Sequence, residues 1–278
     1  MASCGRHEPV TSPPPPANPP VPPAPIAAKQ PATCSPELVA LGPGLYATHA
    51  RISPTACLDV VRADLARFRL RVLTASRDGR ARTAPDWRDT FELAAVINAG
   101  MFHDSGLPVG LLVENGIAVG ADNRTFGGVL AFDPIDPGDP PVAIAGRDCG
   151  GFDLATLRAR YRSLVQSSRL LGCDGAALHW KDRKRYSAAA IGIDHEGRVV
   201  LLHARDPVTM TELSRALTSP TLDVAGALFL EGGPEASLLA RGSFGSLARV
   251  GSYETGFRED DTNHDFWQLP NVLALEPR

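Results

Sequence analysis

The chain has 278 residues, with 28 Lys and Arg against 31 Asp and Glu and a formal net charge of −3. Neither sign dominates, which argues against a nucleic-acid or polyanion binder. Hydrophobic residues make up 44%, ordinary for a globular domain, and no apolar run is long enough to span a membrane.

The first 40 residues stand apart. Ser12 to Pro25 reads SPPPPANPPVPPAP, which can bury no core and favours a semi-rigid polyproline II spacer. Ahead of it, Met1-Ala2-Ser3-Cys4-Gly5 resembles the tail of a bacterial lipoprotein box. The expectation is a tether over residues 1–40, lipid-anchored through Cys4 or secreted, followed by one domain over 41–278. Contact with a membrane would come only through that lipid. Beyond Cys4, four cysteines remain. Their even number suits an oxidising compartment, and proximity suggests the pairs Cys34–Cys57 and Cys149–Cys173.

In chain order, Phe68 to Val72 alternates apolar residues with arginines, as a half-buried strand does, and Cys57 to Arg62 is the expected partner strand. Phe91 to Asn98 reads as a buried strand entering a turn. Val109 to Val113 and Ile117 to Val119 flank Glu114-Asn115-Gly116, a strong hairpin signal. Asp153 to Tyr161 suits a helix. Ala189 to Asp194 and Arg198 to His203 form a second hairpin around His195-Glu196-Gly197. Thr209 and Glu212 make a capping box ahead of Met210, Leu213 and Leu217, which share one helix face. Ala225 to Leu230 is a buried strand ending in Glu231-Gly232-Gly233-Pro234, and Ala236 to Ala240 is expected to be helical. The fold class expected is α+β: a mixed, largely antiparallel sheet with a few packed helices in a single domain.

Three segments could carry chemistry. In Phe229 to Ser237, a strand delivers Glu231 to a turn whose glycines permit close approach. Pro234 suits the first position of a helix, and the free N–H groups there would favour an anion. Glu231 and Glu235 bracket that spot. A second strand-to-turn segment, Ile97 to His103, offers Asn98, Gly100 and His103 to sugar hydroxyls or phosphate oxygens. The third, His179 to Ser187, is the most basic stretch of the chain; Arg185 could grip phosphate and Trp180 could stack on a sugar. Asp260 to Asp265 lacks the Gly and distant Glu of an EF-hand loop and reads as a polar surface loop. No metal or cofactor motif is present.

These segments together resemble the phosphodiester glycosidase family. Ile97-Asn98-Ala99-Gly100-Met101-Phe102, then Pro108-Val109-Gly110, then Asn115-Gly116 are similar to its NGGFF, P-G and NG elements. Gln166-Ser167 resembles a Q-S/T-G-P element, Ala190 to Asp194 an A-I-G-hydrophobic-D strand, and Thr209 to Leu213 an M-T-x-x-E helix start. LEGGPEAS stands where L-D-G-G-G-S is usual. Each match is weak alone, but they occur in the family's order over about residues 55–240. The resemblance implies hydrolysis of a sugar-1-phosphodiester or related glycosidic bond, with a glycan or sugar phosphate as substrate and no cofactor. It implies Glu231 as base or nucleophile, Glu235 as partner acid or sugar ligand, and Arg185 at the phosphate. Asn98, Gly100, His103, Gln166, Ser167, Gly232, Gly233, Ser237 and Trp180 would bind substrate. The departures are Glu231 for Asp, Pro234 and Glu235 for small residues, and Ala188 where the family carries Arg, with Arg185 three residues early. They make a non-catalytic glycan- or wall-binding module the alternative.

Overall fold

The computed structural model describes residues 34–181 and 183–278. Residues 1–33, including Cys4 and the Pro-rich spacer, lie outside the described residues. In chain order the elements begin with β1 (Val39–Gly42), β2 (Leu45–Ser53), β3 (Ala56–Ala63), β4 (Phe68–Thr74), α1 (Ala75–Asp78), α2 (Ala84–Phe91) and β5 (Ala95–Asn98). There follow β6 (Leu112–Glu114), β7 (Ile117–Ala118), β8 (Gly128–Pro134), β9 (Val142–Gly146), α3 (Leu154–Arg160) and β10 (Tyr161–Ser167). The last are β11 (Tyr186–Asp194), β12 (Val199–Val208), α4 (Met210–Leu217), β13 (Val224–Gly232), β14 (Ser237–Arg241), β15 (Ser246–Val250) and β16 (Asn271–Pro277).

The strands form three sheets. One has the order β1-β2-β3-β12-β11-β13, a second β7-β6-β10-β8-β9, and a third β15-β14-β5-β16-β4. Every ladder among the described strands is antiparallel. Strand far outweighs helix, so the class is mainly β with a few helices rather than α+β. The inner faces of the sheets meet in one apolar cluster that includes Leu45, Ile97, Leu130, Ile191, Leu228 and Leu238. Outside the first sheet, α4 buries Met210, Leu213 and Leu217 against Leu58, Leu202 and Phe229. The Thr209–Glu212 capping box is fully formed, with both reciprocal bonds present.

Both expected hairpins are present. Asn115 and Gly116 take φ of 47° and 81°, the left-handed pair that a two-residue turn matched to strand twist requires. Both expected disulfides are also present, Cys34–Cys57 and Cys149–Cys173. They suit an oxidising compartment, and no described helix is long and apolar enough to cross a membrane.

Three local expectations are corrected. Phe91 closes α2 instead of opening a strand: it stacks on Trp87 one turn earlier, at 5.7 Å, while Trp87 Nε1 donates to the Leu269 carbonyl at 2.9 Å. Only Ala95–Asn98 is strand. The segment at Cys57 to Arg62 does not pair with β4. It lies in β3 between β2 and β12, while β4 pairs with β16, the last strand of the chain. Finally, Ala236 to Ala240 is not helical. It enters β14, held between β5 and β15. Ser237 to Ala240 are all buried, and an apolar run covered on both faces has the same sequence signature as a buried helix.

Candidate active site

The site is built where β13 ends. Glu231 pairs across the ladder with Ala189, Ala189 with His203, His203 with Asp59, and Asp59 with His49. Directly paired residues project from the same face of a sheet, so Glu231 ends a row of mostly polar groups that crosses five strands. Ala189 is its smallest member and lies between Glu231 and His203.

After Glu231 the chain makes one 3-10 turn, Gly233–Glu235, and then enters β14. Gly233 has φ of 67°, open to glycine at little cost. A Cβ there would also lie 2.6 Å from Glu254 Oε2 and 3.3 Å from Glu235 Oε2. Two carboxylates therefore converge on this glycine. A Cβ on Gly232 would lie 3.2 Å from the Tyr186 ring. The close approach that both glycines allow is taken by the protein's own side chains.

The expected α-helix is absent, and only the 3-10 turn stands in its place. Several N–H groups of the turn are bonded within the protein. Gly232 N donates to Glu231 Oε1 at 3.0 Å, Ala236 N to Gly233 O at 3.2 Å, and Ser237 N to Asn98 Oδ1 at 2.8 Å.

Glu231 is half-buried, and packing around its carboxyl pushes its pKa up from 4.5 to about 8. The Gly232 N–H bond opposes this, and Glu235 and Glu254 add to it. Glu235 and Glu254 are also raised, chiefly by burial, and Glu254 is partly relieved by Lys184. At neutral pH Glu231 is therefore a carboxylic acid. The folded state holds this proton at pH values where the unfolded chain has lost it. Stability should fall as pH rises from about 4.5 to about 8 and then level off. Urea denaturation of wild type and Glu231→Gln across this range checks it; the wild type's extra downward slope should vanish in the variant.

Beneath the turn lies His203, fully buried and pushed down to about 4 by desolvation, so it is neutral. Its Nε2 donates to the Ala236 carbonyl at 3.2 Å. Asp59 is held by His49 at 2.9 Å and by Arg249 at 2.8 Å. Over the turn lies the 251–263 segment. Ser187 Oγ accepts from Ser252 N and Tyr253 N, and Asn263 Nδ2 donates to Gly251 O at 2.7 Å. A Cβ on Gly251 would collide with the Gly233 carbonyl oxygen and touch Ala236 and Ser187. Gly251→Ala should push the segment carrying Glu254 off the turn, at a cost of about 1–3 kcal/mol. Thermal melts check this, and an unchanged melting temperature would contradict it.

The other expected site residues are distributed as follows. Asn98, 1% exposed, donates from Nδ2 to Glu235 O at 3.0 Å and accepts from Ser237 N. Ser237 is buried and donates to Glu235 O. Gln166 is buried with four bonds: it accepts from Leu111 N and Asn123 N and donates to Asp122 Oδ1 and Asn123 O. Ser167 is buried and donates to the Phe229 carbonyl. Gly100 has φ of 95° and faces the Gln166 carbonyl. His103 is exposed in the following loop. Trp180 is half-buried against the outer cluster and tied through its backbone to Thr211. Arg185 donates to the Pro207 carbonyl at 2.9 Å and pairs with Glu212 at 3.1 Å. A cavity of about 980 Å³ lies elsewhere, between β4 and the second sheet, and is lined by Arg69, Arg71, Arg77 and Glu114 among others.

Sequence reasoning passed over Glu254, His203 and Asp59. Each sits far along the chain from Glu231, and none lies in a motif. The one available signal was His203 itself, a polar residue ending an apolar strand run.

Residues 91–276 match the phosphodiester glycosidase family model. The chain belongs to the phosphodiester glycosidase family. The fold agrees with solved structures. The catalytic domain of zebrafish N-acetylglucosamine-1-phosphodiester alpha-N-acetylglucosaminidase, auto-inhibited by its pro-peptide, superposes with a TM-score of 0.58 at 16% identity. That match covers 89% of this chain and 87% of the zebrafish one. A hypothetical protein from Synechocystis gives a TM-score of 0.58 at 13% identity, covering 84% of this chain and 62% of its own. No curated protein sequence matches. At these identities the likeness is one of fold, and the chemistry of this family member has to be argued from its own residues.

Proposed function

We propose that the protein hydrolyses the glycosidic bond of a sugar-1-phosphodiester in an extracytoplasmic glycan, at the turn 231–237. The observation that carries this reading is Glu231, kept protonated by burial beside Glu235 and Glu254. A phosphate monoester leaving as a dianion would meet two neighbouring carboxylates. A proton from Glu231 lets it leave with one charge fewer, while Glu235 or Glu254 supports the developing positive charge on the sugar or activates water. This differs from Glu231 as base or nucleophile, because a group of pKa about 8 is mostly protonated at neutral pH.

Asn98, Gln166, Ser167 and Ser237 serve as supports in this scheme, since their hydrogen bonds are already used within the protein. Arg185 would have to leave Glu212 to hold a phosphate. Lys184, close enough to Glu254 to lower its pKa, is a second cation near the turn. Phe257 is 64% exposed and three residues from Glu254, which suits stacking on a sugar face better than the packed Trp180. Anchoring through Cys4 belongs to the same reading; labelling with a fatty-acid analogue, lost in Cys4→Ser, tests it.

The experiment is release of free sugar from a panel of sugar-1-phosphodiesters and glycosides. Turnover supports hydrolysis. A folded protein that binds these glycans saturably without turnover would favour the non-catalytic module, a reading to which the engagement of Arg185 by Glu212 lends weight.

A further inference from the structure

The two disulfides differ in what touches their sulfurs. Arg169 Nη1 lies 3.0 Å from Cys149 Sγ and 3.4 Å from Cys173 Sγ. Arg169 is buried, 7% exposed, and its Nε has no partner. Its Nη2 binds Asp148, whose own side chain is 69% exposed. The guanidinium is held against the sulfurs by lack of room. A Cβ on Gly128 would lie 2.6 Å from Arg169 Cγ, and one on Gly146 2.5 Å from Arg169 Nη1. At Cys34–Cys57, Cys57 N donates to Asp206 Oδ2 at 3.4 Å, and Arg51 lies opposite Cys57 in the β2–β3 ladder. The cysteines of the Arg169 pair also differ from one another. Cys173 is exposed and Cys149 half-buried, and both line a cavity of about 350 Å³ walled partly by Gly150, Gly151 and Gly172.

We propose that Cys149–Cys173 is a thiol-exchange site for a low-molecular-weight thiol, with Cys173 attacked and Cys149 the leaving group. The incoming thiolate forms a bond to Cys173 Sγ as the S–S bond breaks. The electron pair of that bond goes to Cys149 Sγ, which departs as a thiolate beside Arg169. The products are a mixed disulfide on Cys173 and one protein thiolate, so charge and electrons balance. Two features favour this direction. The nucleophile reaches the exposed sulfur, and the leaving sulfur is the one nearer the buried cation, where a thiolate is stabilised. In Cys34–Cys57 both cysteines are half-buried, so neither sulfur is the more accessible one.

Reduced and oxidised glutathione are the probes, used on the full chain after Cys4 has been blocked by alkylation. Quenched samples are mapped by mass spectrometry. Cys149–Cys173 should open first, at a glutathione ratio roughly tenfold more oxidising than Cys34–Cys57 needs, and the adduct should appear on Cys173. Arg169→Met should abolish the difference between the two pairs. Opening of Cys34–Cys57 first, simultaneous opening, or an adduct on Cys149 would overturn the proposal. Should Arg169→Met fail to fold, the order of opening and the adduct's position in the wild-type chain still decide it.

Discussion

Glu231→Gln is expected to lower kcat/KM on a turned-over sugar-1-phosphodiester by about 10²–10⁴-fold, the usual contribution of a positioned general acid. The fold should be retained. Glutamine has the shape of a protonated glutamate, and its carbonyl can still accept from Gly232 N–H. The loss should depend on the leaving group: large where the departing oxygen needs a proton, small for an activated aryl glycoside. A nucleophile or base at this position would give an equally large loss on both. In the wild type, activity should decline as pH rises through about 8, where Glu231 loses its proton, and the variant's residual activity should lack that limb. Full turnover of every substrate by Glu231→Gln would remove the residue from the mechanism.

Asn98→Ala carries the largest stability effect expected at the site. Its amide joins the end of β5 to the exit of the Gly233–Glu235 turn, accepting from Ser237 N–H and donating to the Glu235 carbonyl. Alanine leaves the buried Ser237 N–H without its acceptor and removes one of the two donors to the Glu235 carbonyl, which keeps the Ser237 hydroxyl. At about 1–3 kcal/mol for the stranded N–H and about 1 kcal/mol for the lost bond to the carbonyl, the cost should be about 2–4 kcal/mol, or roughly 5–15 °C in Tm for a domain of this size. Asn98→Asp separates the two bonds. The carboxylate still accepts from Ser237 N–H but faces the Glu235 carbonyl with no proton to offer. It should be destabilised at neutral pH and recover, relative to wild type, in acid, where the side chain regains a donor. A neutral-pH melt of Asn98→Asp equal to wild type would show that the Glu235 bond contributes little.

Both predictions concern the same short turn, and its shape divides what was legible in the chain from what was not. Local patterns were readable because they act over a few residues. The Asn115-Gly116 hairpin, the Thr209–Glu212 capping box and the strand delivering Glu231 each follow from backbone preferences or from periodicity. The two disulfide pairs and the order of the family's motifs were readable as well. Motif matching also brought Asn98, Ser237 and Glu231 to one place; what it did not show is that Asn98 and Ser237 bond to the turn itself.

The tertiary structure decided the rest, through burial and long-range pairing. Leu238, Leu239 and Ala240 are apolar in a row, and only the presence of β5 on one side and β15 on the other makes them a strand. That choice replaces the expected helix with a strand entered through a single 3-10 turn. Likewise β4 takes its partner from the last strand of the chain, a pairing set by how the sheets close over a common core. The protonation of Glu231 is of the same kind. An isolated glutamate ionises near 4.5, and what raises this one to about 8 is desolvation, with Glu235 and Glu254 nearby. The sequence determined which groups could enter the site; the packing around them determined which one keeps its proton.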